Sequence, residues 1–481
     1  MTQRAFLLIL PVLVACQADP QPVPPSPVAS PSRLHAEGTG IVDAAGDAVQ
    51  LRGVALGGWM FHENWITGVD FPAFARLHQI GLEAGEEAAV NAAIVVAGPA
   101  EDADADWVLA VRGELEPSLG VPATDAILES LASYPSVVDD SDLALRLVLE
   151  DRFGIEGRDE ILDAFQGAWI QDQDLEWIAA QGWNVVRVPL GWRGLTSMTD
   201  HEPPSSLVWN EAAFARLDAL LDSCETHGLW AVLDIQECPG GQNEYAGPST
   251  LYSDPAMQSL CVDLWVELAR RYGGRDSVGA YSLLAEPMSA PDSQARDAMY
   301  DQIVAALRAA GDDHLLVIHD GFRGVFGMPD PAEIGWDNVI YSTHLFEWGS
   351  DAVSDYEDLF PLWESSFGGM QESHDVPFYV GSFSTFRDAD WAYESASLMA
   401  DFFDRQGWSW TVWTYKRIDD PVEVELFGTQ TGWGVRGRLQ GSFDRPDLYR
   451  DDREVLMAKM RAYAEVDVAP NEELLAAIRR D

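Results

Sequence analysis

Six apolar, strand-like segments of this chain each carry a residue suited to sugar chemistry at or near their C-terminal end. NVVRVPL holds Arg187, LWAVLDIQ ends on Gln236, VGAYSLLAEP presents Glu286, NVIYSTH ends on His344, PFYVGSF contains Ser382 and WSWTVW ends on Trp413. A carboxyl and an imidazole move protons, a guanidinium holds charge, and an indole offers an apolar face with a polar tip to a pyranose ring. Such side chains gathered at the C-terminal ends of successive strands mark the active-site face of a (β/α)₈ barrel.

Positioning them requires a regular alternation of elements. DQDLEWIAAQG leads into NVVRVPL, EAAFARLDALLDSCETHG into LWAVLDIQ, DPAMQSLCVDLWVELARRYG into VGAYSLLAEP, and SQARDAMYDQIVAALRAAG into HLLVIHDGF. Each unit is an amphipathic helix, a Gly or polar stop, and a short apolar run. That repeat makes a parallel sheet covered on both faces. LRGVALGG before these units, and NVIYSTH, PFYVGSF and WSWTVW after them, complete eight strands. The predicted fold is therefore an α/β (β/α)₈ TIM barrel. No glycine-rich dinucleotide fingerprint is present, which disfavours a Rossmann-type sheet. No HExxH or clustered Cys/His spacing occurs either, so no metal or other cofactor is expected.

After the first strand, about residues 70–165 turn acidic and helical, with apolar residues at three- and four-residue spacing. An insertion there sits on the catalytic face as a lid or groove wall, or is a helical decoration that only packs. The barrel is expected over residues 39–465, opening with a hairpin around Ala45-Gly46, and residues 466–481 read as a C-terminal helical tail.

In this order and spacing, LRGVALGGWMFHENWITG, AWIQDQDLEWIAAQGWNVVRVPLGW, LDIQECPGGQN, AEP, STHLFEW and WTVWTYK resemble glycoside hydrolase family five, of the cellulase and exo-β-1,3-glucanase type. The resemblance covers residues 49–68 and 165–416. It implies that Arg187 keeps a nucleophilic carboxylate ionised and that Glu286 is the acid/base, protonating the leaving oxygen and then deprotonating water. It further implies that His344 orients the acid/base and substrate hydroxyls, and that Trp413 forms the floor under the sugar. Trp59, Trp65, Trp192 and Trp348 are additional candidates for glycan contact. The implied partner is an oligo- or polysaccharide of the β-glucan type.

Three positions depart from the family pattern. The Asn before the acid/base is Ala285, the His of the third-strand motif is Gln236, and the nucleophilic Glu of the seventh strand is Ser382. A retaining mechanism needs two carboxyls about 5–5.5 Å apart, and a serine hydroxyl without a positioned base does not replace one. Gly381-Ser382-Phe383-Ser384-Thr385 is not the G-x-S-x-G elbow of an esterase. Glu237, Asp320 and Glu347 follow predicted strands toward the same rim, and one of them paired with Glu286 at about 6.5–9.5 Å would support inversion. The resemblance thus implies a glycosidase with impaired catalysis or, alternatively, a non-catalytic surface protein that binds glycan.

Composition sets the outer bounds. The 481-residue chain is 47% apolar and carries 18 Trp, enough for a large packed core. Its net charge of −49 repels nucleic acid and anionic membrane surfaces. Only two of its 30 basic residues are lysines, Lys416 and Lys459, a balance that suggests solubility in a saline setting. At the N-terminus, Arg4 precedes AFLLILPVLVA, an apolar run too short to span a bilayer, and Leu13-Val14-Ala15-Cys16 resembles a lipobox. Residues 1–15 are expected to be a lipoprotein signal peptide, Cys16 the lipidated residue, and residues 16–38 a Pro/Ser-rich tether. Those features imply an exported protein held at the outer membrane or cell surface through its lipid alone. Cys224, Cys238 and Cys261 then allow one internal disulfide, between Cys238 and Cys261, or three inert buried thiols.

Overall fold

The structure is a computed structural model that describes residues 30–69, 72–100, 103–133, 142–245, 249–324, 327–385, 387–419, 421–427, 434–441 and 443–480. The expected signal segment, Cys16 and the tether as far as residue 29 lie outside the described residues.

Eight parallel strands close into a barrel: β1 (Arg52–Ala55), β2 (Val185–Gly191), β3 (Trp230–Glu237), β4 (Val278–Ser282), β5 (Leu315–His319), β6 (Val339–Phe346), β7 (Phe378–Ser384) and β8 (Ser409–Val412). Strand β8 pairs back onto β1, Trp410 lying beside Arg52 and Val412 beside Val54. Closure leaves no exposed sheet edge.

The step into β3 shows how sequence builds each unit. The Asn210 side chain accepts hydrogen bonds from the backbone N–H groups of Ala212 and Ala213 at 3.1 and 3.3 Å, starting the helix Glu211–His227. Phe214, Leu217, Leu221 and Cys224 fall on its buried face. Gly228, at φ 71°, ends it by returning its N–H to the Cys224 carbonyl, and the chain turns into β3. Asp254 and Asp292 cap the helices Pro255–Tyr272 and Ser293–Ala309 in the same way.

The N-terminal end of the barrel is plugged by Val185, Val232, Leu315, Ile340 and Tyr379 packed with Leu34, Ile41 and Leu51. A small sheet of His35–Glu37, Gly40–Val42 and Ala48–Val49 covers this end, and Leu34 is fully buried. Residues 34–38, expected to belong to a tether, are part of the fold, with Leu34 buried against the barrel floor and His35–Glu37 in the small sheet. The tail is likewise no appendage. Val468–Pro470 pairs with Arg436–Leu439, and Leu474 and Ile478 of the helix Glu472–Ile478 are buried.

The insertion is helical, as expected, but ends earlier. Helices Ala73–Ala84, Glu87–Ala97, Ala105–Leu119 and Val121–Ala132 enclose a core of their own, with Phe74, Leu77, Ile94, Val111 and Leu131 at its centre. Leu426 and Phe427, beyond β8, pack against it, and the Phe74 and Phe427 rings meet at 6.3 Å. The next helix, Asp142–Trp169, breaks at Gly154, where φ is 72°. Leu145 and Leu149 before that break and Ile161, Phe165 and Trp169 past it all belong to the main core, so both halves of this helix pack with the barrel. Cys224, Cys238 and Cys261 are buried free thiols.

Candidate active site

Strand alternation decides which side chains enter the barrel. On β3, Val232 reaches the floor cluster, and Asp234 and Gln236 follow it on the inner face. Arg187 of β2 meets both: its Nη2 donates to Asp234 Oδ2 at 2.7 Å and to Gln236 Oε1 at 2.9 Å. Asp234 is fully buried; desolvation raises its carboxyl, and the Arg187 charge opposes that rise. The guanidinium carbon lies 5.5 Å from the centroid of the Trp413 ring, a cation–π contact.

Glu286 stands just past β4 with φ at 49°, a conformation that non-glycine residues adopt rarely and mostly where surroundings enforce it. The loop after β3 does the enforcing. Gln242 Nε2 donates to the Ala285 carbonyl at 3.0 Å, and Asn243 Nδ2 to the Glu286 carbonyl at 3.3 Å. The carboxylate is held at both oxygens: Oε1 lies 2.6 Å from His344 Nδ1, and Oε2 accepts from the Tyr245 hydroxyl at 2.6 Å. Burial and the Arg187 charge push His344 well below the ordinary histidine range, so its ring is neutral. Facing a carboxylate, Nδ1 then carries the proton. Burial, and next the Glu286 charge, raises the Tyr245 phenol, which stays protonated as a donor. His319 packs edge-on against His344 at 4.5 Å and accepts from the Gly321 N–H at 2.9 Å. A side chain at Gly381 would bring its Cβ to 2.9 Å from His344 Nε2, so glycine lets that imidazole sit against β7.

Ser382 is in register with His344 on the neighbouring strand, past a bulge after Val380. It is 1% exposed, and its hydroxyl has no hydrogen-bond partner among the described residues. Gln236 thus lies against Arg187, Ala285 precedes Glu286 beneath the Gln242 amide, and Ser382 lies beside His344. The structure corrects the expectation that Glu237 and Asp320 could supply a second carboxylate. Glu237 is buried and committed to an ion pair with Arg193. Asp320 is committed to its own turn, accepting from Phe322 N at 3.0 Å and Thr343 Oγ1 at 3.1 Å. Glu347 is half-buried just past β6, and burial raises its carboxyl.

Two of the aromatic candidates are also corrected. Trp59 donates its indole N–H to the Gln166 carbonyl at 2.8 Å and lines a groove in the outer helical layer with Leu175 and Leu220. Trp192 is 2% exposed, and Arg193 covers its ring at 4.6 Å. Neither offers a free face to a sugar. Trp65 is half-buried with Arg417 at 5.6 Å, whereas Trp348 is 62% exposed, 6.3 Å from Phe346.

Sequence reasoning missed Asp234, His319, Phe322 and Tyr245. Period-two alternation from Gln236 would have found Asp234. Phe322 sits at φ 58°, half-exposed, with its ring 5.4 Å from His319. Tyr245 comes from an irregular loop that no periodicity places.

A closed parallel barrel with an orienting imidazole on a strand-end glutamate defines a (β/α)₈ protein with a glycosidase-type proton-transfer pair. Residues 153–418 match Cellulase (glycosyl hydrolase family 5), and the chain belongs to that family. Among curated relatives, a β-xylosidase of Phanerodontia chrysosporium is 25% identical over 452 residues, covering 87% of this chain and 75% of that protein. A probable glucan 1,3-β-glucosidase A of Aspergillus fumigatus is 28% identical over 262 residues, 52% of this chain and 61% of that one. Among solved structures, an endoglucanase of Thermotoga maritima aligns with a TM-score of 0.46 at 18% identity, covering 64% of this chain and 90% of that one. The chain thus spans three-quarters of the length of the β-xylosidase but only about three-fifths of that of the glucosidase.

Proposed function

We propose that this protein acts on O-glycosidic bonds of a β-glucan-type polysaccharide with Glu286 as its proton donor, and that its catalysis is impaired because position 382 supplies no attacking carboxylate. The observation that carries the reading is the Glu286 carboxylate held by His344 at 2.6 Å beside a barrel wall that offers serine. Hydrolysis would start from Glu286 that has taken up a proton from solvent; it passes that proton to the leaving oxygen and regains one from the attacking water. Without a covalent partner, the oxocarbenium-like centre must wait for water. Relatives with glucanase and glucosidase names support the substrate class.

A second reading, a non-catalytic glycan-binding protein, is favoured by one further observation: the Arg187 charge is already compensated by Asp234. The two readings separate by experiment. Turnover of laminarin or an aryl β-glucoside, abolished in Glu286→Gln, supports the enzyme. Saturable laminari-oligosaccharide binding without turnover, weakened about tenfold or more in Trp413→Ala, supports the binder. We also propose export and anchoring through a lipid on Cys16; release of the protein from membranes by Cys16→Ser tests it, and unchanged membrane retention would contradict it.

A further inference from the structure

Both oxygens of the Glu286 carboxylate are engaged, and the two partners differ in kind. His344 is buried, backed by His319 at 4.5 Å and pressed against Gly381, so it has no room to leave. Tyr245 is 44% exposed and reaches Oε2 from the loop after β3. The base of that loop is firmly tied: Gln242 Oε1 accepts from the Cys238 N–H at 3.0 Å, while its Nε2 donates to the carbonyls of Gln236 and Ala285 at 2.8 and 3.0 Å. Near the tip, the backbone N–H of Tyr245 donates to Asn243 Oδ1 at 3.2 Å. The ring is thus aimed at Glu286 by a fixed loop base, while its other side faces solvent.

We propose that the Tyr245 hydroxyl is a stand-in for the glycan oxygen: it occupies the place on Glu286 Oε2 that the glycosidic oxygen must take, and ligand entry requires its displacement. Tyr245 is a positioning residue, acting through Glu286. This rests on Glu286 being the group that meets the glycan. A phenol donating to a carboxylate makes a charge-assisted bond, stronger than a neutral one and costly to break. The bond therefore fixes the Glu286 carboxylate, and part of a ligand's affinity is spent on displacing the hydroxyl.

The test measures the affinity of laminaritriose by calorimetry for the wild type, Tyr245→Phe, Glu286→Ala and the double variant. Tyr245→Phe keeps the ring and removes only the hydroxyl. It is expected to bind about tenfold more tightly than wild type, and that gain is expected to vanish in the Glu286→Ala background. A purely structural tyrosine would leave affinity unchanged or lower it, so equal or weaker binding by Tyr245→Phe overturns the displacement, as does a gain that persists without Glu286. If no variant binds, including the wild type, the glycan reading of the site falls and this inference falls with it.

Discussion

Arg187 donates to Asp234 at 2.7 Å across the barrel interior, so the guanidinium has its charge balanced by its own barrel wall with nothing supplied from position 382. Both side chains are buried. Removing one partner of such a pair leaves an uncompensated charge where water cannot reach it. Asp234→Ala is expected to lower unfolding free energy by about 3–5 kcal/mol, measured as a shift of the urea midpoint. A loss within the range of an exposed pair would show that Arg187 finds compensation elsewhere.

A second buried network ties the start of the Asp142–Trp169 helix to the loops beyond β2 and β3. Asp200 Oδ2 lies 2.8 Å from Arg146 Nε and also contacts Arg158, while Arg193 bridges Asp200 and Glu237. Burial pushes Arg193 down to about 10. Asp200→Ala strips the shared anion from three arginines, and a cost of about 3–5 kcal/mol is expected, with chemical denaturation as the readout. Protease cleavage should also begin within the insertion, which this network fastens to the barrel.

Stability should depend on pH through His62. Burial pushes this histidine down from 6.5 to about 3, so the folded protein refuses a proton that the unfolded chain accepts. The stabilising contribution is complete above pH 6.5 and is lost at about 1.4 kcal/mol per pH unit as pH falls toward the folded value. Asp142, whose carboxyl burial raises, works in the opposite sense but is common to both proteins compared. His62→Gln is expected to flatten the decline in melting temperature between pH 6 and 4. Parallel curves for the two proteins would contradict it.

Much of this fold could be read from the chain because several strands follow an amphipathic helix and a glycine stop, as at Asn210 and Gly228 before β3. Arg187, Gln236, Glu286, His344 and Ser382 were legible because they lie at or just past strand ends in strings that resemble the family's motifs, although Glu286 stands beyond its strand and Ser382 follows a bulge. Tyr245 was not, since it hangs from a loop shaped by Gln242 and Asn243 side chains, and such contacts leave no period in sequence. Trp59 and Trp192 were misplaced for a related reason. Both lie next to strand ends, but which way an indole turns depends on its partners, Gln166 for one and Arg193 for the other. The helix Asp142–Trp169 has the same acidic, amphipathic pattern as the helices before it, and only packing shows that it belongs with the barrel core.

The proposed role of Glu286 requires that the residues around it, Ala285 and Gln236 included, still support hydrolysis once position 382 carries an anionic attacking group. Ser382→Glu, assayed on 4-nitrophenyl β-D-glucoside in protein whose urea midpoint confirms folding, tests it most directly. The account predicts a rise in hydrolysis of about a thousandfold or more over the wild type, lost again when Glu286→Gln is added. No rise in a folded variant, or a wild type that already hydrolyses as fast, would contradict it.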